Sequence, residues 1–137
     1  MAYRIRRVDY FSATVRDQPG EAFNLLSLLA GQGISLLAFT AVPVGPAHAH
    51  LTLFPEHGPR LLQAARQANL ILDGPHPALL VHGDDELGAL ATIHQKLFEA
   101  GVNIVASSGV TDGQGTFGYV IYVRPGDLER AMNALEV

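Results

Sequence analysis

One part of this sequence is written twice. Asp17-Gln18-Pro19-Gly20, then Leu29, then Gly33-Ile34-Ser35-Leu36, returns as Asp85-Glu86-Leu87-Gly88, Leu97 and Gly101-Val102-Asn103-Ile104, with each landmark displaced by 68 residues. At nearly the same offset Leu51-Thr52-Leu53-Phe54 falls on Tyr119-Val120-Ile121-Tyr122, and Leu61 with Ala64 falls near Leu128 with Ala131. A sustained repeat means one supersecondary unit formed twice. The 137 residues, no more than one ordinary domain, are therefore read as two small units of about 65–70 residues each.

Each copy spells the same order of elements. In the first, Tyr10 to Val15 is β-branched and aromatic enough for a strand. Asp17 and Pro19 supply a helix start, an oxygen acceptor ahead of a residue whose φ is already helical. Ala22, Leu25, Leu26 and Leu29 then fall at helical spacing, and Gly31 and Gly33 end the run. Ile34 to Val42 is a second strand and residues 43–46 a turn. His48 to Phe54 is a third strand, with Ala49, Leu51 and Leu53 on one face and His48, His50 and Thr52 on the other. Pro59 opens a second helix carrying Leu61, Leu62, Ala64, Ala65 and Ala68, and Leu70-Ile71-Leu72 reads as a short strand before a break at Asp73-Gly74-Pro75. The order is βαββαβ.

The second copy gives a strand from Ala78 to His82, a helix from Glu86 to Ala100, strands from Val102 to Val110 and from Phe117 to Val123 around a hairpin turn at residues 112–115, and a helix from Asp127 to Leu135. A final strand is lacking after Leu135. The offset sets residues 2–7 against residues 70–75, so Tyr3-Arg4-Ile5 is expected to supply it. The division expected is residues 1–74 and residues 75–137, the last strand of the second unit coming from residues 2–7. The class is α+β, with helices on one face of antiparallel sheets.

Such a sheet should be polar on its uncovered face. The strand from Ile34 instead alternates Ile34, Leu36, Ala38 and Val42 with Leu37, Phe39 and Ala41, and Leu28 falls in the polar stripe of the first helix with Glu21, Asn24 and Gln32. These positions suggest a surface for a partner, and dimerisation through it is expected.

Charge and composition exclude several classes of function. Nine Lys+Arg against thirteen Asp+Glu leave a net charge of −4, so no favourable field meets a nucleic acid backbone. The basic start, residues 1–7, leads into Val8-Asp9-Tyr10 rather than a long apolar core, and does not read as a secretory signal. No run approaches the roughly 18 apolar residues of a membrane span. No cysteine is present, which removes disulfides, thiolate nucleophiles and cysteine-bearing metal centres. A cytoplasmic protein is expected.

The junction of first strand and first helix is where a ligand would sit. A helix N-terminus presents unpaired N–H groups and partial positive charge, and a glycine there admits a small molecule close to the backbone. Asp17-Gln18-Pro19-Gly20 offers amides for a carboxylate and, in Asp17, an acceptor for an ammonium, a pairing that suits an amino acid. Asp17 as a plain helix cap and Gly20 as a packing residue is the competing reading. At the second junction Asp84, Asp85 and Glu86 crowd the helix start with negative charge and Leu87 replaces Pro19, so a carboxylate is expected to be less welcome there and the two sites need not be equivalent.

His48-Ala49-His50 puts two imidazoles on one strand face, a spacing that suits two ligands of Zn²⁺. A third ligand would have to come from His57, His82, His94 or a carboxylate, and local spacing fixes none of them, so no metal site is assigned. His94 flanks an apolar stripe and reads as a half-buried histidine with one hydrogen bond. Ser107-Ser108-Gly109 lies inside a strand and lacks the nucleophile-elbow pattern. Gly113-Gln114-Gly115 has no following helix and reads as a turn rather than a phosphate loop.

Val15-Arg16-Asp17-Gln18-Pro19-Gly20-Glu21, followed by Leu29 through Leu36, resembles the signature of the ACT domain, and the duplicated βαββαβ order over residues 8–73 and 77–136 resembles a tandem of such units. The resemblance implies two ferredoxin-like units that bind a small effector, usually an amino acid or related carboxylate, between paired units and regulate amino-acid metabolism without a cofactor. By position it implies that Asp17, Gln18, Pro19 and Gly20, with Asp85, Leu87 and Gly88 in the second copy, face Gly33, Ile34, Ser35 and Leu36 or Gly101, Val102, Asn103 and Ile104 across a unit–unit interface. It further implies a sensor or regulatory subunit rather than an enzyme, with a metabolic enzyme as the regulated partner, while a homodimer is expected from the apolar sheet surface. The first alternative is an interaction module whose working surface is Leu28, Leu37 and Phe39; the second is a metal-binding protein using His48 and His50.

Overall fold

The computed structural model describes residues 3–137, in which β1 (Tyr3–Arg16), α1 (Glu21–Gly31), β2 (Leu36–Val44), β3 (His48–Pro55), α2 (Gly58–Gln67), β4 (Asp73–Asp84), α3 (Ala89–Glu99), β5 (Ile104–Thr111), β6 (Thr116–Val123) and α4 (Leu128–Leu135) follow in order. A single 3-10 turn, Pro125–Asp127, leads into α4. The chain forms two compact units. One comprises residues 9–76, and the other residues 77–137 together with residues 3–8.

In the first unit the strands lie in the order β2-β3-β1-β4. β3 pairs antiparallel with β1 from Phe11↔Leu53 to Arg16↔His48, and with β2 out to Val44↔His48. Alternation decides the core: Phe11, Leu51 and Leu53 point to the face where Leu25 and Leu29 of α1 and Leu61 and Ala64 of α2 close over them. In the second unit the order is β1-β4-β6-β5. There Leu79, Val81, Tyr119 and Ile121 meet Ile93 and Leu97 of α3 and Ala131 and Leu135 of α4, and Tyr3 and Ile5 of β1 pack against the same cluster.

The repeat is visible in single hydrogen bonds. Asp17 N–H donates to Ala47 O at 2.8 Å and Asp85 N–H to Gly115 O at 2.9 Å; Ile34 N–H donates to Leu29 O, and Val102 N–H to Leu97 O, both at 2.9 Å. Every one of these pairs keeps the 68-residue offset.

Three expectations about the chain are corrected. Leu70-Ile71-Leu72 is not a strand, and Asp73-Gly74-Pro75 is not a break, because β4 begins at Asp73 and continues to Asp84. Gly74 makes this possible: its φ is +144°, and a Cβ there would sit 2.8 Å from both Tyr10 O and Phe11 Cδ2. The Gly74–Pro75 bond is cis. Second, the alternation assigned to the strand after Ile34 changes phase. A bulge between Leu36 and Ala38 turns Leu36 and Phe39 toward the same core, against which Leu28 also packs. Leu28 and Phe39 therefore do not form a free apolar surface. The bulge recurs between Ile104 and Ala106. Third, Asp17 does not cap α1. The helix begins at Glu21 with Gly20 as its N-cap at φ 93°, and no side chain caps it; α3 repeats this with Gly88 at φ 83°.

Candidate functional site

The two strand-to-helix junctions share one backbone design. After β1, Asp17 N–H is taken by Ala47 O, Gln18 N–H by Arg16 O and Glu21 N–H by Gln18 O, a compact turn that delivers the chain into α1. After β4, Asp85, Glu86 and Ala89 do the same toward Gly115 O, Asp84 O and Glu86 O. The turn is completed by a residue in the left-handed region, which explains a glycine at positions 20 and 88, and a Cβ on either would meet nothing within 4 Å. The space above each junction is open. Within each first turn the amides of Ala22 and Phe23, and of Leu90 and Ala91, have no backbone acceptor among the described residues.

At the second junction this open space is a cavity of about 670 Å³. Asp85, Glu86, Leu87, Gly88 and the start of α3 form one wall, while Gly109, Val110 and Thr111 of β5 form the other above Phe117. Three of the expected residues, Asp85, Leu87 and Gly88, thus line one site. Leu87, in the place of Pro19, is fully exposed at its rim. Gly101, Val102, Asn103 and Ile104 do not line it. They follow the other end of α3, as Gly33, Ile34, Ser35 and Leu36 follow the far end of α1. Eleven helical residues put about 16 Å between the two ends, so one unit by itself does not bring the two segments together.

Those far-end segments have local work. Gly33 and Gly101 are left-handed at φ 73° and 72° and stop their helices. Arg60 donates to Gln32 O at 3.0 Å, satisfying a terminal carbonyl of α1, and Ser35 O accepts Glu56 N–H at 3.0 Å.

The wall residues 109–111 and Phe117 were not singled out from sequence. The signal was topological: β5 lies parallel to β4, so its C-terminal end reaches the start of α3. A second missed feature is polar. The Tyr119 hydroxyl, carried on a buried ring, lies 2.6 Å from His94 Nε2 and donates to Ser107 Oγ at 2.8 Å. His94 makes its one side-chain hydrogen bond here, but the residue is exposed rather than half-buried. The first unit has Leu26, Leu51 and Phe39 at the same three places.

Charge separates the junctions. Asp84, Asp85 and Glu86 mark the second, with Asp112 in the adjoining β5–β6 turn, where the first has Arg16, Asp17, Gln18 and Val44. The Thr116 hydroxyl, then the N–H groups of Gln114 and Thr116, hold the Asp112 carboxyl below its ordinary value. No group of three or more His, Asp or Glu side chains placed to hold a metal ion occurs among the described residues. No described helix is long and apolar enough to cross a membrane.

No protein-family model and no curated protein matches this sequence. Solved structures do match its fold. A protein from Bacteroides thetaiotaomicron superposes with a TM-score of 0.83 at 15% identity, over 96% of this chain and 88% of that one. The ligand-free regulatory subunit of aspartate kinase from Thermus thermophilus gives 0.64 at 18% identity, over 98% and 94%. The corresponding subunit from Thermus flavus gives 0.62 at 18% identity over the same shares. The likeness shows the fold, two ferredoxin-like βαββαβ units in tandem.

Proposed function

We propose that this protein is a regulatory subunit of amino-acid metabolism that binds an amino acid or related small carboxylate at its strand-to-helix junctions and catalyses no reaction itself. The observation that carries the reading is the cavity of about 670 Å³ at the start of α3. There, amides without a backbone acceptor would receive a carboxylate, while Asp85 and Glu86 would receive an ammonium. The aspartate kinase regulatory subunits support it, because the likeness runs over 94% of their length rather than over one embedded domain. The mechanism is thermodynamic. A ligand shifts the protein toward one arrangement only by the amount it binds that arrangement better, typically about 1–3 kcal/mol. A homodimer completing the site, and a metabolic enzyme as the regulated partner, belong to this proposal.

A second reading, a protein-interaction module, now rests on different residues from Leu28, Leu37 and Phe39. Phe98, Val105 and Val110 of the second unit are 80%, 58% and 74% exposed, and Val110 lines the cavity.

The test is a thermal-shift screen against the twenty amino acids and Zn²⁺. A ligand at about 100 times its Kd adds about 2.7 kcal/mol of stability. A rise in Tm with one or two amino acids that is lost in Asp85→Ala and kept in His50→Ala is the expected result. A flat response to every amino acid favours the interaction module, and a response to Zn²⁺ alone contradicts both.

A further inference from the structure

The basic start of the sequence has a structural destination. Three of the nine Lys and Arg residues, Arg4, Arg6 and Arg7, fall within the first seven positions, in a protein whose net charge is −4. Arg4 and Arg6 are two apart on β1 and so share one face of the strand. Both are exposed, and with His82 of β4 and Ile5 they line a cavity of about 330 Å³. Among the described residues no carboxylate lines it. The adjoining cleft, which Arg4 and His82 also border, contains a single acid, Asp84, with Thr116 opposite. On the α3 side Arg4 borders a third cleft with Lys96 and Glu136. Counting all of these groups, cations outnumber anions.

The repeat shows that the fold does not require this cluster. The same offset places Leu72 where Arg4 stands, Gly74 where Arg6 stands and Thr14 where His82 stands. The first unit has no cation at any of the three positions, Leu72 lying just ahead of β4, so the cluster is an addition to the second unit.

We propose that this cleft is an anion site that takes the phosphate group of a soluble phosphorylated small molecule, separate from the junction cavity. Two guanidinium forks on alternate residues of one strand stand about 7 Å apart at their Cα atoms. One planar carboxylate is filled by one fork, whereas a tetrahedral phosphate has oxygens to spare for a second fork and an imidazole N–H.

The test is a titration of the full chain with inorganic phosphate at constant ionic strength, followed by the amide and side-chain NMR signals of residues 4–6 and His82. Saturable shifts are expected there, with affinity lowered about tenfold in Arg6→Gln and in Arg4→Gln, the loss of one charge-assisted contact, and unchanged in Arg124→Gln. Arg6→Lys, which keeps the charge and loses the fork, should fall between wild type and Arg6→Gln. Shifts that never saturate, an equal response to acetate, or equal weakening in Arg124→Gln overturns the proposal. Cosedimentation with phosphatidic acid vesicles without saturable binding of free phosphate overturns the soluble source.

Discussion

Gly109 of β5 stands directly across from Tyr119 of β6, and a Cβ on Gly109 would lie 2.8 Å from Tyr119 Cδ1. In the first unit the same cross-strand position is Ala41 opposite Leu51. The ring and the missing methyl are therefore one exchange made within the repeat. Gly109→Ala should cost about 1–3 kcal/mol by overpacking, and Tyr119→Leu in the same chain should recover most of that loss. Urea denaturation of the two single variants and the double variant gives the coupling directly. Additive losses would contradict the account.

The Tyr119 hydroxyl is the second half of that exchange. Tyr119→Phe leaves His94 and Ser107 facing solvent rather than buried, so the cost should be about 0.5–1.5 kcal/mol. A larger loss, measured by the same denaturation, would mean that the chain of hydrogen bonds carries packing as well.

Lys96 of α3 donates from Nζ to the Tyr3 hydroxyl at 2.7 Å, tying residues of the second unit that lie 93 positions apart. That hydrogen bond is the main cause of a Lys96 pKa above its ordinary value. A raised lysine pKa contributes stability that is fully present below the unfolded value and is lost as pH rises through the folded one. The difference in stability between wild type and Tyr3→Phe should thus be constant from neutral pH to about 10 and shrink above it. Deleting residues 1–8 should lower amide-exchange protection in α3 and β6 more than in α1 and β3. Equal loss in both units would refute the assignment of β1's first half.

Leu29 and Leu97 occupy equivalent positions in α1 and α3, each 1% exposed. Truncating either to Ala should cost about 2–5 kcal/mol. A cost below about 1 kcal/mol for one of them, read from denaturant midpoints, would show that its unit does not contribute to the cooperative fold.

Asp112 accepts from the Thr116 hydroxyl and from the N–H groups of Gln114 and Thr116. Its lowered pKa gives a contribution present above the ordinary carboxylate value and lost as pH falls through the folded one. A carboxyl titration by NMR should find its midpoint below that of a free aspartate, and Thr116→Val should raise it.

The repeat made most of this fold legible, because each copy of a signal such as Gly33-Ile34 and Gly101-Val102 reinforced the other. Legibility ended where geometry depends on a partner distant in sequence. The bulges at Leu36/Ala38 and Ile104/Ala106 carry no local signature, so the alternation of β2 was read out of phase and Phe39 was placed on the wrong face. Gly74 looked like a terminator because its close approach to Tyr10 and Phe11 cannot be seen from neighbouring residues. Asp17 had the chemistry of a cap, but the turn closed by Ala47 O moves the cap to Gly20. At the candidate site, Asp85, Leu87 and Gly88 were visible as a strand-to-helix junction, whereas Gly109, Val110 and Thr111 join them only through the parallel alignment of β5 with β4.

The central claim is that the start of α3 receives a carboxylate. A ¹⁵N-resolved titration of the full chain with the amino acid that raises Tm most in the screen tests it most directly. The account predicts saturable shifts that are largest at the amides of Leu90 and Ala91, with smaller ones at Val110 and Thr111. Binding that leaves these four amides unmoved, or moves only residues remote from the cavity, would contradict it.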